Sequence, residues 1–308
     1  MSHKFIIVYD RPGWAFERIA WEIAKHDDKN EYLLIPSGAP TSWSTFHNNL
    51  PHNFDLVHYM WRPAVLNLKS INAIKISTAV YDHLYSDNPK FTKEMLSDVP
   101  FYVSSKKLKT IYELDMFPET EIPVCQDGVD HLKFRPRDTL SSRSTLRVGW
   151  VGNSKWANTS QKGLNEILIP VINSLEKRGR KVELVVADAA KRKILHSEMP
   201  QFYDQIDVLI CCSAHEGTPN PILEASSAGK AWISTDVGIV PELAGPLQSR
   251  YIVQRNVESF VEAISAIQDD QNMLGQLGSE NRQVIESGWT WSQKAASISN
   301  YFNKIVKM

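Results

Sequence analysis

The sequence predicts an α/β protein built as two parallel-sheet domains. Three observations carry that expectation. Short apolar runs of strand type alternate with amphipathic stretches of helical length, the pattern of crossover-linked parallel strands. The alternation is interrupted by Arg135-Pro-Arg-Asp-Thr-Leu-Ser-Ser-Arg-Ser144, a polar stretch without hydrophobic period that reads as a linker. The length of 308 residues is enough for two cores of about 150 residues each.

In the first half, Lys4-Phe-Ile-Ile-Val-Tyr9 is a buried-strand run, followed by Arg11-Pro-Gly13 and a helical stretch from Trp14 to Lys25. At about 100° per residue, Phe16, Ile19, Ala20 and Ile23 of that helix share one face, which should pack on the sheet. Trp14, Arg18, Trp21 and Lys25 fall on the opposite side. Two readings of this stripe stay open. Another helix or loop covers it, or it meets an anionic membrane or a lipid-linked acceptor, because aromatic and basic residues together suit the bilayer interface. Tyr32-Leu-Leu-Ile35, Asp55 to Met60, Ile74 to Val80 and Phe101 to Ser104 are the further strand candidates. After the linker come the strands Leu146–Val151, Val182–Ala187, Val208–Cys212 and Ala231–Thr235, with a helix from Gly163 to Lys177. Ligands of such sheets bind beyond the carboxyl ends of the strands.

Composition narrows the function. With 34 basic and 35 acidic residues the formal net charge is −1, a poor basis for general nucleic-acid binding. Cys125, Cys211 and Cys212 are too few for a disulfide framework and read as buried small hydrophobes in a reducing compartment. No apolar run reaches the roughly 18 residues of a membrane span. The expected location is cytoplasmic, with peripheral contact at an inner membrane face as the alternative that the tryptophan stripe raises.

The segment richest in chemistry is His215-Glu-Gly-Thr-Pro-Asn-Pro-Ile-Leu-Glu-Ala-Ser-Ser-Ala-Gly229. It follows a strand and opens a helix, with Asn220 expected as N-cap, Pro221 at the first helical position and Gly229 just past the end. A helix start at the carboxyl edge of a sheet offers N–H groups to an anion. Since Pro219 and Pro221 donate none, the amides of Thr218 and Asn220 are the ones available. Glu216 before the helix and Glu224 within it provide two carboxylates able to accept hydrogen bonds from sugar hydroxyls. Other chemistries are missing: there is no Asp-x-Asp metal clamp, no dinucleotide or Walker A glycine loop, no zinc helix and no Gly-x-Ser-x-Gly.

This segment, with seven residues between Glu216 and Glu224, resembles the signature of glycosyltransferase family 4, whose members are retaining enzymes of GT-B fold. Further stretches follow in the family's order: Gln126-Asp-Gly-Val-Asp130 with Phe134 and Pro136, Gln161-Lys-Gly163, Asp236-Val-Gly-Ile-Val-Pro-Glu242 and Trp289-Thr-Trp-Ser292. The resemblance implies two Rossmann-like domains facing a cleft: an acceptor-side domain over 1–143, a donor-binding domain over 144–288, and a C-terminal helix over 289–308 crossing back to the first. It implies metal-independent, cofactor-free hexosyl transfer from a nucleotide diphosphate sugar to a glycan, lipid-linked or small-molecule acceptor, in cell-surface glycan or glycolipid synthesis. Glu216 then meets the donor sugar, Glu224 the ribose and Lys162 the diphosphate, with Thr218 and Asn220 beside them and Gly13 approaching from the first domain.

Two departures from the family pattern leave alternatives open. The usual arginine after the first glycine of the second domain is replaced by Asn153-Ser-Lys155 behind Gly152, so either Lys155 substitutes for it or one cation is missing. The usual His-Asp pair becomes Val80-Tyr-Asp-His83, so either Tyr81 or His83 takes the histidine's place near the sugar. The runner-up functions are a nucleotide-sugar epimerase or phosphorylase-like enzyme of the same fold and, in another class, a catalytically weak sugar-nucleotide-binding subunit.

Overall fold

The computed structural model describes residues 2–66, 68, 74–82, 89–137, 144–155, 161–192, 194–270 and 272–308. The chain forms two compact units, Met1–Gly128 with Trp291–Met308, and Val129–Thr290.

The first unit runs β1 (Lys4–Tyr9), α1 (Ala15–His26), β2 (Glu31–Pro36), α2 (Trp43–Asn48), β3 (Leu56–Tyr59), β4 (Lys75–Val80), α3 (Pro89–Leu96), β5 (Phe101–Val103) and α4 (Lys106–Asp115). Its sheet is parallel throughout, in the order β2-β1-β3-β4-β5. Strand alternation sorts β1 onto two cores. Phe5, Ile7 and Tyr9 face one core with Ile19, Ala20 and Ile23 of α1, while Ile6 and Val8 face the other with Leu50, Val65 and Met95. The apolar face expected of α1 is thus the buried one, with Phe16 packed at its margin.

The second unit runs β6 (Leu146–Gly152), α5 (Ile169–Lys177), β7 (Val182–Asp188), α6 (Met199–Asp204), β8 (Val208–Cys211), α7 (Asn220–Ser227), β9 (Ala231–Thr235), α8 (Val240–Leu243), β10 (Ile252–Val253), α9 (Val257–Asp269) and α10 (Met273–Gly288). Its sheet order is β10-β9-β8-β6-β7, again all parallel. Counted within each unit, both sheets have the doubly wound order 2-1-3-4-5. Cores lie on both faces of the second sheet, one around Val148, Ile210 and Phe260, the other around Leu209, Ile222 and Trp232.

The last helix, α11 (Trp291–Lys307), belongs to the first unit. It buries Trp291, Ile298, Phe302 and Ile305 beside α1, with the Phe302 ring 5.4 Å from Phe5 and 4.8 Å from His58. The division between units falls after Gly128 rather than after residue 143. Residues 129–134 already pack with the second unit: the Val129 N–H donates to the Trp289 carbonyl at 2.9 Å, and Phe134 lies in the second unit's core. Most of the expected linker, residues 138–143, lies outside the described residues.

The helix expected over Gly163–Lys177 is broken into a π-turn, Leu164–Leu168, followed by α5. The Gly163 carbonyl accepts from both Ile167 and Leu168, each at 3.0 Å, and Pro170, which has no N–H to donate, falls in the first turn of α5.

Candidate functional site

In a 2-1-3-4-5 sheet the strand order reverses between the first and third strands, and the loops after those strands open a crevice at the carboxyl edge. In the second unit these are the loops after β6 and β8, and they carry Lys162 and Glu216. The two meet: Lys162 Nζ donates to Glu216 Oε1 at 2.5 Å, and the Ser213 hydroxyl donates to the same oxygen at 2.7 Å. Burial pulls the Lys162 ammonium toward neutrality, but the charge of Glu216 and its hydrogen bond outweigh this and hold the lysine above its ordinary pKa. Lys162 therefore stays an ammonium at neutral pH, ion-paired with Glu216.

The backbone around this pair is strapped from three sides. Trp150 Nε1–H donates to the Lys162 carbonyl at 3.3 Å, and Ala214 N–H to the Gln161 carbonyl at 2.7 Å. The Thr235 hydroxyl at the end of β9 donates to the Ser213 carbonyl at 2.6 Å. Gly163 and Gly238 permit the closeness. Gly163 has φ +71°, and a Cβ there would lie 2.5 Å from the Cys212 carbonyl oxygen. Gly238 has φ +48°, and a Cβ there would lie 2.0 Å from the Gly217 carbonyl oxygen, which accepts from Ile239 N–H at 3.0 Å. Neither contact leaves room for a side chain.

Next to Glu216, the Thr218 hydroxyl is buried with no hydrogen-bond partner among the described residues. Asn220 is the first residue of α7, not its N-cap. Pro219 is the cap (φ −71°, ψ 86°), because its carbonyl already accepts from Ile222 N–H at 2.8 Å, and no side chain among the described residues caps the helix. Gly229 follows the helix end with φ +66°, in the place expected of a terminating glycine.

Glu224 is buried, 7% exposed, and is held by other residues than the Lys162 pair. Its Oε2 accepts from the Tyr203 hydroxyl at 2.8 Å, and its Oε1 lies 3.0 Å from His196 Nε2. Lys155 stands exposed in the loop after β6, its N–H donating to Asn153 Oδ1 at 2.9 Å. Sequence reasoning missed what holds that loop. Asp188, at the end of β7, accepts from the Ser154 N–H at 3.0 Å, the Ser154 hydroxyl at 2.7 Å and the Ala190 N–H at 3.0 Å. Burial raises the Asp188 pKa, but these bonds outweigh it and hold the carboxyl below its ordinary value. An acidic residue closing a strand run, as in Val185-Val-Ala-Asp188, was the available signal.

In the first unit, Gly13 follows β1 with φ +74°, and its N–H donates to Glu17 Oε2 at 2.5 Å. Tyr81 follows β4; its hydroxyl lies 3.1 Å from that of Tyr102 and 3.4 Å from Asp127 Oδ1, and its ring packs on Phe16 at 5.2 Å. Burial above all, then Asp127 and Tyr102, keep it a neutral phenol. His83 lies outside the described residues. Of the α1 stripe, Trp14 is capped by the Arg11 guanidinium 4.5 Å from its ring, Lys25 lies 3.7 Å from Glu22, and Trp21 is 60% exposed. No described helix is long and apolar enough to cross a membrane.

Residues 190–284, from the loop after β7 into α10, match the family described as glycosyl transferases group 1. Comparison with curated proteins gives no match. Among solved structures, the chain resembles sucrose-phosphate synthase from Thermosynechococcus elongatus over 99% of both chains, with TM-score 0.80 at 12% identity. A glycosyltransferase from Rickettsia africae ESF-5 aligns over 99% of both chains, with TM-score 0.70 at 15% identity. Anabaena HepE, in complex with UDP and glucose, aligns over 97% of this chain and 99% of its own, with TM-score 0.72 at 12% identity. The two parallel-sheet units thus make up a GT-B fold, and the group 1 match in the second supports glycosyltransferase activity.

Proposed function

We propose that the chain is a retaining glycosyltransferase of family 4 that moves a sugar from a nucleotide diphosphate sugar to a hydroxyl acceptor without a metal. The observation that carries this reading is the Lys162–Glu216 pair, set at the switch point of the second sheet beside the start of α7. When the bond from the sugar's anomeric carbon to the donor diphosphate breaks, negative charge gathers on the leaving phosphate. A fixed ammonium and the Asn220 amide at a helix start stabilise such charge without reorganising. Lys162 takes the first role, and Thr218 and Asn220 line the approach. Glu216 orients the ammonium and faces the sugar, and Glu224 receives the ribose.

The new bond joins the acceptor oxygen to the anomeric carbon from the leaving-group side, and the acceptor proton passes to a donor phosphate oxygen. No protein nucleophile is needed. The first unit holds the acceptor, with Gly13 and Tyr81 at the carboxyl edge of its sheet. The 60% exposure of Trp21 favours an acceptor at an anionic membrane face.

The test begins with a thermal-shift screen of nucleoside diphosphates, UDP first, because HepE was solved with it. A ligand at about 100 times its Kd adds about 2.7 kcal/mol of stability. Transfer from the matching sugar nucleotide is then followed by NMR. The expected product keeps the donor's anomeric configuration, and turnover survives EDTA. An inverted product refutes retention. Complete loss in EDTA, restored by manganese or magnesium, refutes the metal-free mechanism.

A further inference from the structure

We propose that His196 is a positioning residue for the nucleotide's ribose, acting through Glu224; this rests on the reading of Glu224 as the ribose-binding carboxylate. The geometry fixes the histidine's chemistry. Lys133 Nζ lies 2.7 Å from His196 Nδ1. An ammonium only donates, so Nδ1 accepts and the ring proton sits on Nε2. That N–H is aimed at Glu224 Oε1, 3.0 Å away. Lys133 is placed in turn by Asp130, whose carboxylate accepts the Lys133 backbone N–H at 3.0 Å.

The two Glu224 oxygens are therefore gripped separately, Oε1 by His196 from the segment before α6 and Oε2 by Tyr203 from α6 itself. Turning the carboxylate about its terminal bond breaks one grip or both. Phe134 backs the arrangement, its ring centre 5.2 Å from that of His196 and 5.8 Å from that of Tyr203. The side chain of Glu224 is 9% exposed and that of His196 29%. Solvent, and a ligand arriving from it, reaches the histidine more readily than the carboxylate it orients. A carboxylate that must present both oxygens to a vicinal diol needs its plane set in advance, and this network sets it.

The ribose diol itself is the probe. Calorimetry compares ADP, GDP and UDP with their 2′,3′-dideoxy analogues, on the wild-type chain and on His196→Ala, His196→Asn and His196→Gln. Glutamine places an amide N–H near the position of Nε2, and asparagine is too short to reach. The wild type should prefer the ribose form of its nucleotide by about ten- to a hundredfold, the value of hydrogen bonds to a charged group. In His196→Ala and His196→Asn the preference should fall to within about threefold, and His196→Gln should keep most of it. If the alanine variant does not fold, the asparagine–glutamine pair decides. Retention of the full diol preference without the histidine overturns the inference and leaves the reading of Glu224 standing. So does an equal weakening of both nucleotide forms, the mark of a merely structural role. A wild-type chain without diol preference overturns the Glu224 reading, and this inference with it.

Discussion

Replacing Glu216 by glutamine removes one charge from the Lys162 pair and keeps its shape. At 2.5 Å the gross attraction is about 6–7 kcal/mol with an effective dielectric constant near 20. Most of that offsets the desolvation of the two ions. Breaking a buried pair by removing one partner costs about 3–5 kcal/mol, because the remaining charge is stranded. Here the lysine side chain is 25% exposed and the glutamate 13%, so water reaches the site and the expected cost is lower, about 2–3 kcal/mol. A domain of this size loses about 2–4 °C in melting temperature per kcal/mol, so the variant should melt about 4–12 °C lower by calorimetry at pH 7. The double variant Lys162→Met with Glu216→Gln strands no charge and should return to within about 4 °C of wild type. The pH dependence has a definite sign. Lys162 is held above its ordinary value, so the pair's stabilisation is complete below about pH 10.4 and is lost as pH rises through the higher folded-state pKa. Without Glu216, burial is the largest influence left on Lys162 and pulls its pKa down, so the gap between variant and wild type should close in alkaline solution. Additive losses in the double variant, or a gap that widens with pH, would refute the coupling.

Glu224→Ala should weaken binding of the free nucleoside diphosphate by about ten- to a hundredfold in calorimetry, while Glu216→Ala leaves it nearly intact and lowers transfer; the reverse pattern would mean the two carboxylates exchange roles. Gly238→Ala should destabilise by at least about 2 kcal/mol, through overpacking against the Gly217 carbonyl and the left-handed backbone together. Gly179→Ala, at φ +74° with open space around it, pays only the backbone cost of about 1–2 kcal/mol, and equal losses at the two sites would contradict the contact. The wild-type chain should co-sediment with anionic liposomes in a salt-sensitive way, and Trp21→Ala should reduce this; indifference to such liposomes makes the acceptor a soluble one.

What the sequence made legible, and what it hid, follows from the range of each interaction. The strands are legible because parallel strands buried on both faces are written as continuous apolar runs, as in Phe5-Ile-Ile-Val8. The α1 face is legible because its periodicity is local. The hidden features depend on partners distant in the chain, or on competition between neighbours. The helix α2 spans six residues, too few to show a period, and is held by the Ser42 hydroxyl accepting from Thr45 N–H at 3.2 Å. Asn220 is a favoured capping type, yet Pro219 takes the cap because its fixed φ and its carbonyl suit that position. The glutamate spacing marks Glu216 and Glu224 as a pair, but spacing carries no information on burial. Glu216 meets a lysine 54 positions away, and Glu224 a histidine 28 and a tyrosine 21 positions away. Two residues one motif apart thus sit in different electrostatic settings, one against a cation and one between an imidazole and a phenol. On the proposed function, that difference lets one signature serve both the reacting sugar and the nucleotide that carries it.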